Sequence, residues 1–209
     1  MNLPNKLTLL RIILVPVFLV CMYVLFPYNY TAALIVYVIA SVTDALDGHI
    51  ARKRGLITTF GKFADPLADK ILVLSAFAAM ADLNAQMHNE YFQEYILGAP
   101  VSLHVNGIVV TIIAAREFMV SGLRLVTAEK GIVVAAGIWG KLKTAFTMVT
   151  QVIILLWLAV WEMTQYSMPV SVLLVMDKVF LVLVWTSVIL TVISGFVYLK
   201  GYWKHIDMK

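Results

Sequence analysis

The sequence predicts an all-α protein, a polytopic membrane bundle of six transmembrane helices, and three observations lead there. Of its 209 residues, 62% are hydrophobic and only 13% charged, a balance far more apolar than soluble domains show. The apolar residues gather in runs close to the roughly 20 residues that a helix needs to cross a bilayer. Lysines and arginines are shared unevenly among the segments that join those runs, which is the asymmetry that orients a chain in a membrane.

The first span is Leu7–Phe26. Lys6 and Arg11 ahead of an apolar stretch imitate a secretory signal, but no small-x-small cleavage site stands at "CMYVLFPYNY", so a retained helix is expected, kinked at Pro16. The second span, Thr31–Ala51, starts in "TAALIVYVIAS" and runs into the polar stretch "VTDALDGHIARKRG". The third, Gly61–Ala81, opens on "GKFADPLADK", where Pro66 disfavours the α conformation at Asp65 and predicts a helix start or a bend. A long polar connection from Asp82 to His104 leads to Val105–Val126, and two further apolar runs give Leu142–Trp161 and Lys178–Tyr198. No Gly/Ser linker and no repeat interrupts the chain, so residues 1–209 are expected to form one domain.

With six spans and a cytoplasmic N-terminus, Lys6, Arg11, Arg52, Lys53, Arg54, Lys62, Lys70, Arg116, Arg124, Lys130, Lys141, Lys143, Lys200, Lys204 and Lys209 lie at the inner face. Only Lys178 falls outside. Asp82, Glu90, Glu94, Glu162 and Asp177 gather on the other side. The expected location is therefore the cytoplasmic membrane, multi-pass, with the N-terminus and the polar stretch inside. A net charge of +4 suits anionic headgroups or phosphorylated substrates and proves neither. The single cysteine, Cys21, sits in an apolar run and reads as packing.

Asp44 and Asp47 are three apart and share a helix face with Gly48, Ala51 and Arg52, while Gly61, Asp65 and Asp69 follow at intervals of four. Two neighbouring helix ends thus offer two carboxylate pairs. Four uncompensated aspartates would repel one another and resist desolvation, and hard oxygen ligands of this kind accept Mg2+, Mn2+ or Ca2+, with four of them able to hold two ions. A salt-bridge network with Arg52, Arg54, Lys62 and Lys70 is the plainer reading, but it does not require glycines where side chains would block a ligand. An EF-hand is disfavoured because its alternating oxygen ligands are missing.

Written out, Asp44-x2-Asp47-Gly48-x2-Ala51-Arg52-x8-Gly61-x3-Asp65-x3-Asp69 resembles the signature of the CDP-alcohol phosphotransferases at every fixed position. The resemblance implies a six-span, usually dimeric bundle in which Asp44, Asp47, Asp65 and Asp69 hold two divalent cations, Mg2+ or Mn2+, and Asp69 is the general base. From the residues alone, any of the four aspartates qualifies as that base. The implied reaction is attack of an alcohol on the lipid-linked phosphorus of a CDP-lipid with CMP leaving. Metal charge against the pyrophosphate and a carboxylate for the alcohol proton address its two barriers. Arg52 adds a bidentate phosphate contact, and Gly48 and Gly61, with Ala51, leave room for the nucleotide against the helices. Asn5, Thr8 and Arg11 reach nucleotide or acceptor by the same resemblance, although a helix cap and interfacial charge explain them almost as well.

The acceptor is read from "AAREFMVSGLRLVTAEKG" and "WGKLKTAF". Arg116 and Arg124, eight apart, lie roughly on one helical face, and two arginines suit a phosphate monoester. Lys141 and Lys143 differ by about 200° on a helix, so only one of them should face the same cavity. Positive-inside flanking or anionic-lipid contact is the alternative for these cations, and for the lysines it is nearly as good. "AREFMVSGLR", "GKLKT" and "PNKLTLLR" resemble segments of the phosphatidylglycerophosphate synthases within that family. The resemblance implies CDP-diacylglycerol and glycerol 3-phosphate as substrates, membrane lipids as surroundings and a homodimer as assembly, with no nucleic acid. Serine and phosphatidylglycerol make poorer use of two arginines, whereas inositol phosphate is harder to exclude. Prenyltransferases also use aspartate pairs but lack the Gly48/Ala51-Arg52/Gly61 pattern, and a divalent-cation transporter would place its carboxylates near the membrane midplane. No histidine metal site emerges from His49, His88, His104 and His205.

Overall fold

The computed structural model describes residues 3–54, 59–88, 101–129 and 137–203. Among them are six helices and no strand: α1 (Leu3–Tyr23), α2 (Asn29–Arg54), α3 (Thr59–Met87), α4 (Gly107–Glu129), α5 (Ile138–Met163) and α6 (Val170–Trp203). The spans expected at Thr31–Ala51, Gly61–Ala81, Leu142–Trp161 and Lys178–Tyr198 fall inside α2, α3, α5 and α6, which run further, whereas Leu7–Phe26 overruns α1, which ends at Tyr23, and Val105–Val126 starts two residues before α4. The largest excess is in α6, which starts at Val170, where Pro169 accepts the N–H groups of Val172 and Leu173, eight residues before the apolar run expected from Lys178. The added residues, Val170–Asp177, are themselves mostly apolar and belong to one stretch, Val170–Gly201, long and apolar enough to cross a bilayer, so Asp177 and Lys178 interrupt the apolar run without ending the helix. α3 begins at Thr59, ahead of the start or bend expected at Pro66, and carries Pro66 within it. Pro16 lies inside α1 on its exposed side.

α1, α5 and α6 are long and apolar enough to cross a bilayer, and α2 has a shorter apolar stretch, Asn29–Thr43. Large apolar side chains such as Ile13, Val20, Val182 and Phe196 lie exposed on the outside of the bundle, the expected surface for a protein whose solvent there is lipid. This is a polytopic membrane protein with an all-helical fold.

α1 packs on α2 and α3, α2 on α5, α5 on α6, and α4 on α6 and α3. Inside lie Phe18, Tyr37, Leu72, Phe77, Met80 and Phe180, all fully buried. Trp157 stacks on Trp161 at 5.3 Å and meets Phe180 edge-on at 5.2 Å, the offset geometries that ring quadrupoles prefer. Gln151 crosses the middle of the core. It accepts the Tyr37 hydroxyl and donates to the Val73 carbonyl at 2.8 Å, tying α5 to α2 and α3.

Side chains close the helix termini at the end of the bundle where α1 gives way to α2. Buried Asn29 donates to the Cys21 carbonyl at 3.1 Å, and the Glu162 carboxylate accepts both the N–H and the hydroxyl of Thr31 at 3.1 Å. An anion at the first turn of α2 also complements its dipole. Burial, followed by the nearby Glu162 carboxylate, pushes the Tyr166 phenol above its ordinary value in the turn after α5.

Candidate functional site

α4 carries its charges and its serine at helical spacing, Arg116, Glu117, Ser121 and Arg124, and turns them toward α3, α5 and α6. Both arginines meet one ring. The Arg116 guanidinium carbon lies 5.5 Å and that of Arg124 5.3 Å from the centroid of Tyr198 on α6, within range of cation–π attraction. Arg124 Nη2 also donates to the Tyr198 hydroxyl at 2.8 Å. Arg116 Nη2 donates to Ser194 Oγ, one turn earlier on α6, and Nη1 to Glu117 at 3.2 Å.

Glu117 is the carboxylate at the centre. Lys143 of α5, its side chain only 3% exposed, donates to the same Glu117 oxygen that Arg116 reaches. Lys70 of α3 donates to Ser121 Oγ, which in turn donates to the Glu117 carbonyl at 2.8 Å. Lys70, Val73, Glu117, Lys143, Thr144 and Thr147 line a cavity of about 10 Å³, on the order of one water-sized space. Arg116 Nε and Thr147 Oγ1 are buried with no hydrogen-bond partner among the described residues. Arg116 and Lys143 therefore meet on the Glu117 carboxylate and Lys70 lines the same cavity, a gathering of cationic groups in a low-dielectric setting that suits an anion.

The expected acceptor-phosphate residues part company here. Arg116 and Arg124 come together, Lys143 is turned in, and Lys141 is exposed, as the 200° between the two lysines requires. Thr8 and Arg11 are fully buried and Asn5 nearly so, on the face of α1 that its contacts with α2 and α3 cover. Asp44, Asp47, Gly48, Ala51 and Arg52 lie in the last part of α2, and Gly61, Asp65 and Asp69 in the first part of α3. For these eight residues the structure gives the course of the backbone, and their side chains lie outside the described residues. Two helix ends, each with a pair of carboxylates, suit hard divalent cations in both number and type of donor. Among the described residues no group of three or more His, Cys, Asp or Glu side chains is arranged to hold a metal.

Sequence reasoning missed Tyr198, Glu117, Ser121 and Ser194 as parts of this site and treated Lys70 only as a possible salt-bridge partner. A charge pair inside an apolar segment, Arg116 beside Glu117, was the available signal for the carboxylate. The four-residue step from Ser194 to Tyr198 was the available signal on α6.

Residues 1–193 match the model of a protein family described as CDP-alcohol phosphatidyltransferase. The chain is 37% identical to a Bacillus subtilis (strain 168) protein named CDP-diacylglycerol–glycerol-3-phosphate 3-phosphatidyltransferase, over 97% of this chain and 96% of the relative. It is 32% identical to the Rickettsia bellii protein of the same name over 98% of this chain and 97% of the relative. Against the Pseudomonas fluorescens protein so named, identity is 36% over 74% of this chain and 72% of the relative.

Proposed function

Because this chain belongs to the CDP-alcohol phosphatidyltransferase family and is an enzyme of that family, we propose that it transfers the phosphatidyl group of CDP-diacylglycerol to glycerol 3-phosphate, giving phosphatidylglycerol phosphate and CMP. The observation that carries the choice of acceptor is the convergence of Arg116 and Arg124 on Tyr198 and of Arg116 and Lys143 on Glu117. A phosphate monoester is dianionic near neutral pH and accepts several charge-assisted hydrogen bonds. The names of the relatives point to the same substrate pair.

In this reading Arg116, Arg124 and Lys143 hold the acceptor phosphate, with Lys141 at the exposed rim. Arg52 contacts the CDP phosphates, Gly48, Ala51 and Gly61 let the nucleotide approach the two helices, and Thr8 lines the same site from α1. Asp69 takes the proton from the glycerol hydroxyl as that oxygen attacks the phosphatidyl phosphorus. The new P–O bond forms as the bond to the CMP oxygen breaks, and CMP leaves with the electron pair. Two Mg2+ or Mn2+ ions, held by Asp44, Asp47, Asp65 and Asp69, supply charge neutralisation at the pyrophosphate when bound. The lysine and arginine distribution favours six spans with the N-terminus and this site at the cytoplasmic face of the cell membrane. The chain acts as one domain over residues 1–209 and assembles as a homodimer.

Purified protein supplied with CDP-diacylglycerol and Mg2+ is to be offered glycerol 3-phosphate, serine, inositol phosphate and phosphatidylglycerol in turn, with CMP release as the readout. Release with glycerol 3-phosphate is expected, together with its loss on chelation and return on adding Mg2+. Release with serine and not glycerol 3-phosphate would overturn the assignment.

A further inference from the structure

We infer that Tyr198 is a positioning residue for the acceptor, holding the guanidinium groups of Arg116 and Arg124 as a pair that grips one phosphate. This rests on the acceptor-phosphate reading above and adds to it a residue that never needs to touch the substrate.

Two arginines on one helix repel each other, and each long side chain has many rotamers to lose before it can bind. A device that holds both in place must attract two cations and must itself be immobile. Tyr198 meets both requirements. Its ring is 6% exposed, its π-system lies 5.5 Å from one guanidinium carbon and 5.3 Å from the other, and its hydroxyl accepts from Arg124 at 2.8 Å.

The surroundings are cut to fit this stack. Gly140 and Gly195 stand inside α5 and α6, where glycine is unfavourable unless packing needs it. A Cβ on Gly140 would lie 3.0 Å from the Tyr198 hydroxyl oxygen and 3.2 Å from a ring carbon, and one on Gly195 would lie 3.2 Å from Cγ of Arg116. Ring and arginine stem each therefore occupy space that a glycine leaves open. Gly140 is one turn before Lys143 on α5, so the ring also sets where α5 presents its lysine against α4. Ser194, one turn before the tyrosine, fixes the second nitrogen of Arg116. A tyrosine that only filled space would need neither the two cations on its ring nor the hydrogen bond on its hydroxyl.

The test is steady-state kinetics on the purified enzyme, with both substrates varied. Tyr198→Leu removes ring and hydroxyl and is expected to raise KM for glycerol 3-phosphate about tenfold or more. Its KM for CDP-diacylglycerol should not move, and kcat should stay within about twofold, because no transition-state contact is lost. Tyr198→Phe keeps the ring and should raise the acceptor KM only about threefold, with no further change when placed in an Arg124→Ala background. Gly140→Ala pushes on the ring from α5 and should raise the acceptor KM alone, which keeps the proposal testable if Tyr198→Leu does not fold. An unchanged acceptor KM in folded Tyr198→Leu, an equal rise for both substrates, or a phenylalanine no better than leucine each overturns the positioning role. Should Arg116→Ala and Arg124→Ala leave the acceptor KM unchanged, the phosphate site itself falls. A rise with those two and none with Tyr198→Leu removes the tyrosine alone.

Discussion

The two ends of the bundle use the same kinds of polar residue for different purposes, and the partners tell them apart. At the end where α1 turns into α2, side chains answer backbone groups. Glu162 accepts the N–H of Thr31, Asp177 accepts the N–H of Ser102 at 3.0 Å, and Asn84 accepts the N–H of Leu103 at 2.7 Å. Each carboxylate or amide oxygen there meets a donor left open by a helix start or by the extended stretch before α4. His104, held at a left-handed φ of 56°, adds its ring nitrogen to Asp177 at 3.0 Å.

At the Arg116 end the charged groups meet other side chains instead. Lys143 and Arg116 share one Glu117 oxygen, Arg116 and Arg124 share one tyrosine ring, and two buried polar atoms, Arg116 Nε and Thr147 Oγ1, have no hydrogen-bond partner among the described residues. One network answers backbone groups, whereas the other brings cationic side chains together in a low-dielectric setting where a bound anion is stabilised. α1 shows the same division along a single face. Its buried stripe reads Asn5, Thr8 and Arg11 toward one end and Val15, Phe18 and Met22 toward the other.

Four substitutions would break or sharpen this contrast. The largest effect is expected from Asp69→Asn, which removes the proposed base at the charged end. CMP release should fall by about two to four orders of magnitude while nucleotide binding, followed by titration calorimetry with CDP, persists, and near-normal turnover would move the base to another carboxylate. Next come the two lysines of "GKLK". Lys143→Ala should raise the acceptor KM about tenfold, the loss of a charge-assisted hydrogen bond, with a much smaller rise for exposed Lys141→Ala, and equal effects would mean that burial does not separate them. The smallest change belongs to the other end. Glu162→Ala uncaps α2 and should lower stability by about 1 kcal/mol, read as a lower thermal midpoint in detergent, with both KM values unmoved. A change in the acceptor KM there would erase the distinction between the two ends.

Much of this could be read before any coordinates. The composition and the near-20-residue apolar runs led to an all-helical membrane protein, and each expected span overlaps one observed helix, four of them lying wholly within it. The eight-residue step between Arg116 and Arg124 brought both to one side of α4, and the 200° step between Lys141 and Lys143 separated inward from outward. Helix ends were less legible: α3 continues past its apolar run to Met87, where backbone hydrogen bonding persists, α6 takes in the apolar stretch before Lys178, and α1 stops at Tyr23, short of the end of its run. Tyr198, Glu117 and Ser121 were passed over because each acts through a residue on another helix, Arg124 to Tyr198 and Lys143 to Glu117 being joined across long intervening sequence.

By itself, the sequence determined the class of fold, the family signature on α2 and α3, and which residues share a helical face. Those properties depend on composition and on periods of a few residues, which the covalent chain sets locally. Only the tertiary structure decided that Tyr198 stands between two arginines, that Glu117 gathers Lys143 and Arg116, and that two helix glycines admit them. Such contacts depend on how α4, α5 and α6 pack, and close packing is a property of the assembled helices that no single one of them carries.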